Sequence, residues 1–238
     1  MCIPTYDEAE NVVPLVTSVV GELERAGLDG HVLVIDDDSP DGTGAIAEEL
    51  ARREPRVSVL HRREKQGLGP AYRDGFRRAL DAGAAAVVEM DCDFSHDPAA
   101  VPALVSATAD ADLAIGSRYV EGGGISRWGL ARRAISRAGC WYARTVLGLP
   151  VRDLTGGFKC FRRPVVEQVA AGGTRAAGYG FQIETTFRAH ERGFEVVEVP
   201  IRFTDRGAGK SKMSWRIAVE AALLVLRLRL GRLGRARR

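Results

Sequence analysis

Two aspartates one residue apart, Asp91 and Asp93, are the pair in this 238-residue chain best suited to chemistry. They close an apolar run, 84–90, that reads as a buried strand. Side chains alternate across a strand, so both carboxylates are expected to face one side, with Cα atoms about 6.6 Å apart. Such a pair can hold one hard cation, Mg²⁺ or Mn²⁺, which takes one or two protein carboxylates and leaves its other positions to water and substrate phosphates. Two aspartates also suit a merely solvated strand end. Position favours the metal reading, because open α/β sheets bind ligands beyond the carboxyl ends of their strands.

Other groups gather at the same edge. The apolar strand Val32-Leu33-Val34-Ile35 ends in Asp36-Asp37-Asp38. Asp37 there suits a hydrogen bond to a nucleotide base or ribose. An aspartate-based phosphatase is the other reading, but its Asp-x-Asp-Gly-Thr spacing is not met, since Asp41-Gly42-Thr43 follows an intervening Asp38-Ser39-Pro40. Asp38 and Asp41 suit turn-forming or helix-capping roles. The apolar run ending at Gly116 brings Arg118 to this edge, and Arg127, Arg132, Arg133, Arg206 and Lys212 add cations after it. A guanidinium's planar fork grips phosphate bidentately. Arg137 and Arg144 suit a solvated helix face.

Apolar spacing predicts the elements that carry these groups. A strand stub at 1–5 precedes a helix opening at Asp7 or Glu8, with Val12, Leu15, Val16, Val19 and Leu23 on one face. Strands at 32–35 and 57–60, helices to Arg53 and over 71–82, and a helix begun by Asp97 as N-cap and Pro98 at N1 complete an alternating α/β pattern. That pattern predicts a mostly parallel central sheet with helices on both faces. Beyond it come a flexible loop at 121–124, a helix over 132–147, strands at 159–162 and 196–201, and a helix over 181–192. With no internal repeat and no long linker, the expectation is one domain over 1–238. Within it the alternating pattern fills 1–116, the irregular part runs over 117–213, and 214–238 is a basic amphipathic helix and tail.

Composition bounds the partners. The net charge of +3 is uneven: from Lys210 onward nine Lys and Arg stand against Glu220. A basic tail suggests an anionic surface, membrane or nucleic acid. Few aromatics lie among the arginines to stack bases, which argues against nucleic acid. Cys2, Cys92, Cys140 and Cys160 make no Cys-x-x-Cys pair and no zinc spacing, so buried thiols in a reducing compartment are expected. The most apolar late segment, 217–226, is about half the ~20 residues a transmembrane helix needs. No signal-peptide features open the chain. The expectation is a cytoplasmic protein, peripheral on the cytoplasmic face of a membrane.

Several motifs occur in order: Ile3-Pro4-Thr5-Tyr6-Asp7-Glu8, Ile35-Asp36-Asp37-Asp38-Ser39-Pro40-Asp41-Gly42-Thr43, Lys65-Gln66-Gly67-Leu68-Gly69, Met90-Asp91-Cys92-Asp93-Phe94-Ser95-His96, Gly116-Ser117-Arg118-Tyr119, Asp153-Leu154-Thr155-Gly156-Gly157-Phe158, and Asp205-Arg206 with Ser211-Lys212. Together they resemble the dolichol-phosphate (polyprenol-phosphate) mannose synthases, family 2 inverting glycosyltransferases of the GT-A-type nucleotide-sugar-binding fold. The likeness spans nearly the whole chain. It implies transfer of mannose from GDP-mannose to a polyprenyl (dolichyl) monophosphate. It further implies that Pro4, Tyr6, Glu8, Ile35 and Asp37 surround the guanosine. Asp91 and Asp93 would bind Mg²⁺ or Mn²⁺ on the diphosphate with Cys92 alongside, Arg118, Arg206 and Lys212 would contact the donor, and Arg132 the acceptor phosphate. The chain departs from the pattern in a first strand of only a few residues, in Cys92 where Ala is usual, and in Ser95 where some relatives carry Gln.

The chemistry is consistent with the groups alone. Cations steady the charge that develops on a departing diphosphate. A phosphate monoester, with a second pKa around 6, is already anionic and needs orientation rather than a general base. An SN2-like displacement giving a β-linked mannosyl phosphate is expected. The alternatives are a UDP-sugar-dependent transferase to polyprenyl phosphate and a silent nucleotide-sugar-binding module. Leucines interleaved with Arg227, Arg229 and Arg232 suit contact with an anionic leaflet or, alternatively, packing on the core. The lack of a spanning helix leaves room for a separate membrane subunit.

Overall fold

Short apolar runs, too hydrophobic to face water on either side, lie side by side at the centre of the computed structural model, which describes residues 1–172, 174, 176, 178, 180–205 and 215–235. In chain order the first elements are β1 (Cys2–Thr5), α1 (Val12–Arg25), β2 (Val32–Asp36), α2 (Thr43–Arg53), β3 (Val57–His61), α3 (Leu68–Asp81) and β4 (Ala86–Glu89). A 3₁₀ turn (Pro98–Ala100), α4 (Val101–Ala107) and β5 (Leu113–Ser117) follow. The later elements are β6 (Gly124–Ser126), α5 (Leu130–Leu147), β7 (Lys159–Arg162), α6 (Arg163–Val165) with a π turn (Val166–Ala170), α7 (Gly180–Glu191), β8 (Val196–Pro200), β9 (Arg202–Thr204) and α8 (Trp215–Arg235).

Seven strands form one sheet in the order β3-β2-β1-β4-β7-β5-β8. All neighbours pair in parallel except β7, which runs antiparallel between β4 and β5. Alternate strand residues serve opposite faces. Leu33 and Ile35 enter one core with Tyr72, Phe76, Phe161 and Phe181, while Val32 and Val34 enter the other with Leu15, Val19 and Leu104. The sheet is thus covered by helices on both faces, as strands as apolar as β2 and β5 require. Gly75 on α3 is needed for this fit, since a Cβ there would lie 2.3 Å from Ile35 Cδ1.

Three differences from the sequence expectations bear on function. Helix α1 starts at Val12 rather than at Asp7 or Glu8. The β2–α2 loop captures the backbone of 7–9 instead: Ser39 Oγ accepts from Asp7 N, Thr43 Oγ1 from Glu8 N and Asp41 Oδ2 from Ala9 N. Asp41 thereby holds the loop and, by accepting from Thr43 N at 3.0 Å, the start of α2. The turn itself is closed by Asp36, whose carboxylate accepts from Ser39 N and Oγ, and not by Asp38. Secondly, the loop at 121–124 leads into β6, which pairs in parallel with β9 as a two-stranded ribbon. Thirdly, core packing and an exposed apolar face, alternatives in the sequence, coexist on α8. Val225 is buried and Ala221 and Leu228 pack on the core, while Val219, Leu223, Leu226 and Leu230 are exposed. No helix among the described residues is long and apolar enough to cross a membrane.

Candidate active site

The strand beneath Asp91 and Asp93 is shorter than its apolar run suggests. β4 stops at Glu89, and the two acids lie on the turn that follows. Strand alternation therefore does not aim them, but their neighbours do: Met90 and Cys92 are sunk in the core. The turn is then locked. Asp93 Oδ1 accepts from Ser95 N at 2.9 Å, and Ser95 O accepts from Thr204 N of β9 at 3.0 Å. Phe94 between them takes φ +55°, a conformation rare for a bulky residue, and the residue is 40% exposed. The Tyr72 phenol is pushed well above its ordinary value by burial and then by Asp91, Glu89, Cys2 and Asp93. The Cys92 thiol is raised by burial and then by Glu8, Asp93 and Asp91.

This donor set fits a divalent cation. Mg²⁺ or Mn²⁺ on a diphosphate usually takes one or two protein carboxylates, and among the described residues no group of three or more His, Cys, Asp or Glu has metal-binding spacing. Gly157 borders the acid turn: a Cβ there would sit in ordinary contact with Asp91, 3.6 Å from Oδ2 and 3.8 Å from Oδ1. Below the pair sits a buried support. Lys159 and Glu89, both 0% exposed, are 3.8 Å apart, and Lys159 Nζ donates to Gln182 O and Oε1 at 2.9 and 2.6 Å. Burial pushes Glu89 up to about 7, with Lys159 opposing and Asp91 adding to the rise. Burial likewise brings Lys159 down to about 8, against the pull of Glu89 and Asp153.

The parallel register of β1 and β2 assembles the next group. Pro4 lies opposite Ile35, Thr5 opposite Asp36, and Asp37 N donates to Thr5 O at 3.1 Å. Tyr6 lies under Lys65, whose Nζ is 3.4 Å from the ring centroid. Glu8 Oε2 accepts from Asn11 Nδ2 at 2.8 Å. The Ile35 side chain is wholly buried against α3, which leaves its backbone as the part that can border a ligand. Asp37 is raised by burial, against the opposing pull of Arg62, with which it forms an ion pair. Arg62, one residue beyond β3, also donates to Asp74 Oδ2 at 2.9 Å and to Gln66 Oε1 at 3.2 Å. Reading the sequence for strand-end acids alone missed it; the same rule applied to cations finds it. Arg62→Lys keeps the charge but loses the fork, so donor KM is expected to rise roughly 2–10-fold with acceptor KM unchanged, as initial rates would show.

Arg118 departs most from expectation. Its Nε–Nη2 edge is engaged by a protein carboxylate. Asp153 accepts from Arg118 N, Nε and Nη2 at 3.0, 2.7 and 2.6 Å, and Thr155 Oγ1 accepts from Nη2 at 2.8 Å. The rings of Tyr119, Trp128 and Phe203 surround the guanidinium at 5.2–5.8 Å. With that edge engaged, Arg118 fixes the end of β5 to the 153–158 segment. Burial works against the pair's charges, yet each partner holds the other ionised: Asp153 lies below its ordinary value and Arg118 above its own.

Arg132 lies across an aromatic wall from the acid turn. His96 packs on Phe203 with ring centroids 5.2 Å apart, Phe203 on Trp128 at 5.3 Å, and Arg132 stacks on Trp128 at 4.1 Å. Arg132 Nη1 donates to both oxygens of Asp205 at 2.9 Å. Nearby, Arg133 Nη2 donates to Ile125 O at 2.7 Å, and Arg137 lies 5.6 Å from the Tyr119 ring. Arg206 and Lys212, both expected at the donor, fall outside the described residues.

The sequence model for glycosyl transferase family 2 matches residues 1–170. The chain belongs to glycosyl transferase family 2. This family 2 glycosyltransferase is 48% identical over 238 residues to a polyprenol monophosphomannose synthase of Mycolicibacterium smegmatis, a match covering 99% of this chain and 88% of that one. It is 46% identical over 225 residues to an undecaprenyl-phosphate mannosyltransferase of Micrococcus luteus, covering 94% and 91%. Among solved structures, glucosyl-3-phosphoglycerate synthase from Mycobacterium tuberculosis, in complex with Mn²⁺, UDP and phosphoglyceric acid, has a TM-score of 0.69 at 20% identity, covering 97% of this chain and 77% of that one. The shared GT-A-like fold is what that likeness shows.

Proposed function

We propose that this enzyme transfers mannose from GDP-mannose to a polyprenyl (dolichyl) monophosphate with inversion, the acceptor phosphate acting as nucleophile. The carrying observation is a locked acid pair joined to a stacked arginine, Arg132, through one wall of packed rings. One end of that wall suits a diphosphate carried on a cation, and the other an anionic acceptor. The names and near-full-length identity of the two mannosyltransferase relatives support the sugar and the acceptor class. Asp91 and Asp93 would hold Mg²⁺ or Mn²⁺, which when bound stabilises the negative charge of the leaving diphosphate. Pro4, Tyr6, the Ile35 backbone, Glu8 and Asp37 line the nucleoside, with Arg62 holding Asp37. Arg118 shapes the site through Asp153, and Arg206 and Lys212 are assigned to the donor on sequence alone. The division into a donor half (1–116), an acceptor half (117–213) and a basic tail (214–238) forms part of the same reading.

A lipid acceptor requires access to a membrane surface. Val219, Leu223, Leu226 and Leu230 line one face of α8, and α5 exposes Leu130, Ile135 and Trp141. Tyr142 Oη donates to Ala222 O at 3.3 Å and ties the two helices together. This apolar surface, with Arg227 exposed beside it, is suited to an anionic leaflet on the cytoplasmic side, alone or with a membrane subunit.

The test is incubation of the full chain with Mg²⁺, a short polyprenyl phosphate and labelled GDP-mannose or UDP-sugars, followed by lipid extraction. Label entering the lipid phase from GDP-mannose is expected; entry only from a UDP-sugar, or none, overturns the reading. Arg132→Ala is expected to raise acceptor KM about tenfold or more while donor binding, followed by calorimetry, stays at the wild-type value.

A further inference from the structure

We propose that Asp205 is a positioning residue acting through Arg132: its carboxylate holds the guanidinium between turnovers, yields it to an incoming dianionic acceptor, and reclaims it from the monoanionic product. The inference rests on the assignment of Arg132 to the acceptor phosphate.

The geometry separates what is fixed from what can exchange. The face of Arg132 lies on Trp128 at 4.1 Å, and Trp128 is packed on Phe203. Stacking therefore keeps the guanidinium in place whatever its edge contacts. That edge meets Asp205, with both carboxylate oxygens 2.9 Å from Nη1. The side chains are 39% and 30% exposed, so the pair is open to solvent and weak enough to be exchanged. Asp205 directly follows β9, which anchors its backbone beside the acid turn.

The reaction supplies the change of charge. An acceptor oxygen forms a bond to C1 of mannose, the bond from C1 to the diphosphate breaks, and its electron pair leaves with GDP. The acceptor headgroup enters as a monoester carrying about −1.5 to −2 and leaves as a phosphodiester with a single charge. A carboxylate of charge −1 competes poorly with the first and evenly with the second. Acceptor binding is thus an exchange of anions on one arginine, and product release is its reversal.

The experiment measures binding by calorimetry, so that its answer does not depend on turnover. A short prenyl monophosphate and its O-methyl phosphodiester are titrated into wild type, Asp205→Asn, Arg132→Gln and the double variant, with Asp205→Ser as a second charge-free replacement and melting temperatures recorded for each. Both ligands are expected to bind about threefold tighter once the Asp205 charge is removed. Both gains should vanish in the Arg132→Gln background. Equal or weaker binding in both charge-free variants, or a gain that persists without Arg132, overturns the proposal. Absence of mannosyl transfer by the wild type in the separate lipid-extraction assay would instead count against the proposed reaction.

Discussion

Asp93→Asn is expected to slow mannosyl transfer by about 10²–10³ with little change in melting temperature, and Asp91→Asn to do the same. Asparagine keeps an oxygen that can accept from Ser95 N, so the turn that carries Asp93 retains its lock. What is lost is charge. A departing diphosphate gains negative charge in the transition state, and a site that cannot seat a cation has only the surrounding protein dipoles to offset it. The buried Lys159–Glu89–Gln182 support lies beneath the pair and keeps its contacts in either variant, while Asp91→Asn removes one of the charges that raise Glu89. Steady-state rates with melting curves on the same preparations separate the two outcomes. Wild-type turnover in either variant would remove that residue from the reaction.

The second large effect concerns Arg118. Because its guanidinium is buried on Asp153, Arg118→Met should strand a buried carboxylate and Asp153→Asn a buried cation, each at about 3–5 kcal/mol. For a domain of this size that corresponds to roughly 6–20 °C in melting temperature. Arg118→Met combined with Asp153→Leu should recover most of the loss, since well-packed apolar replacements of buried ion pairs are often neutral. The pair also sets an acid limit. The folded Asp153 carboxyl lies below its ordinary value, so its contribution is fully present above the unfolded value of ~3.9 and is lost as pH falls through the folded value. If Arg118→Met instead left the melting temperature unchanged and raised only donor KM, Arg118 would be a diphosphate ligand.

Much of the frame was legible in the sequence because it is written locally. Fully apolar runs marked β2 and β5, Asp97-Pro98 marked the start of a helical turn, and strand ends located Asp37, Asp91 and Arg118 at one edge. The missing parts are pairings between distant residues. Asp153 lies 35 residues from Arg118, Asp37 25 from Arg62, and Asp205 73 from Arg132. Nothing in a window of ten residues tells a phosphate-gripping arginine from one already held by a carboxylate. The burial of Ile35 was hidden for a similar reason: its place in a motif at the strand end said nothing of Gly75, whose bare α-carbon lets that side chain bury itself in α3. The β6–β9 ribbon escaped because three-residue strands carry almost no periodic signal, although the ribbon braces the acid turn.

The most direct test is GDP binding by calorimetry with and without Mn²⁺, in the wild type and in the Asp91→Asn, Asp93→Asn double variant. Expected is a gain in affinity of about tenfold or more on adding Mn²⁺ to the wild type, and none in the double variant. GDP affinity indifferent to the ion in the wild type, or strengthened equally by it when both acids are gone, would contradict a cation seated on Asp91 and Asp93.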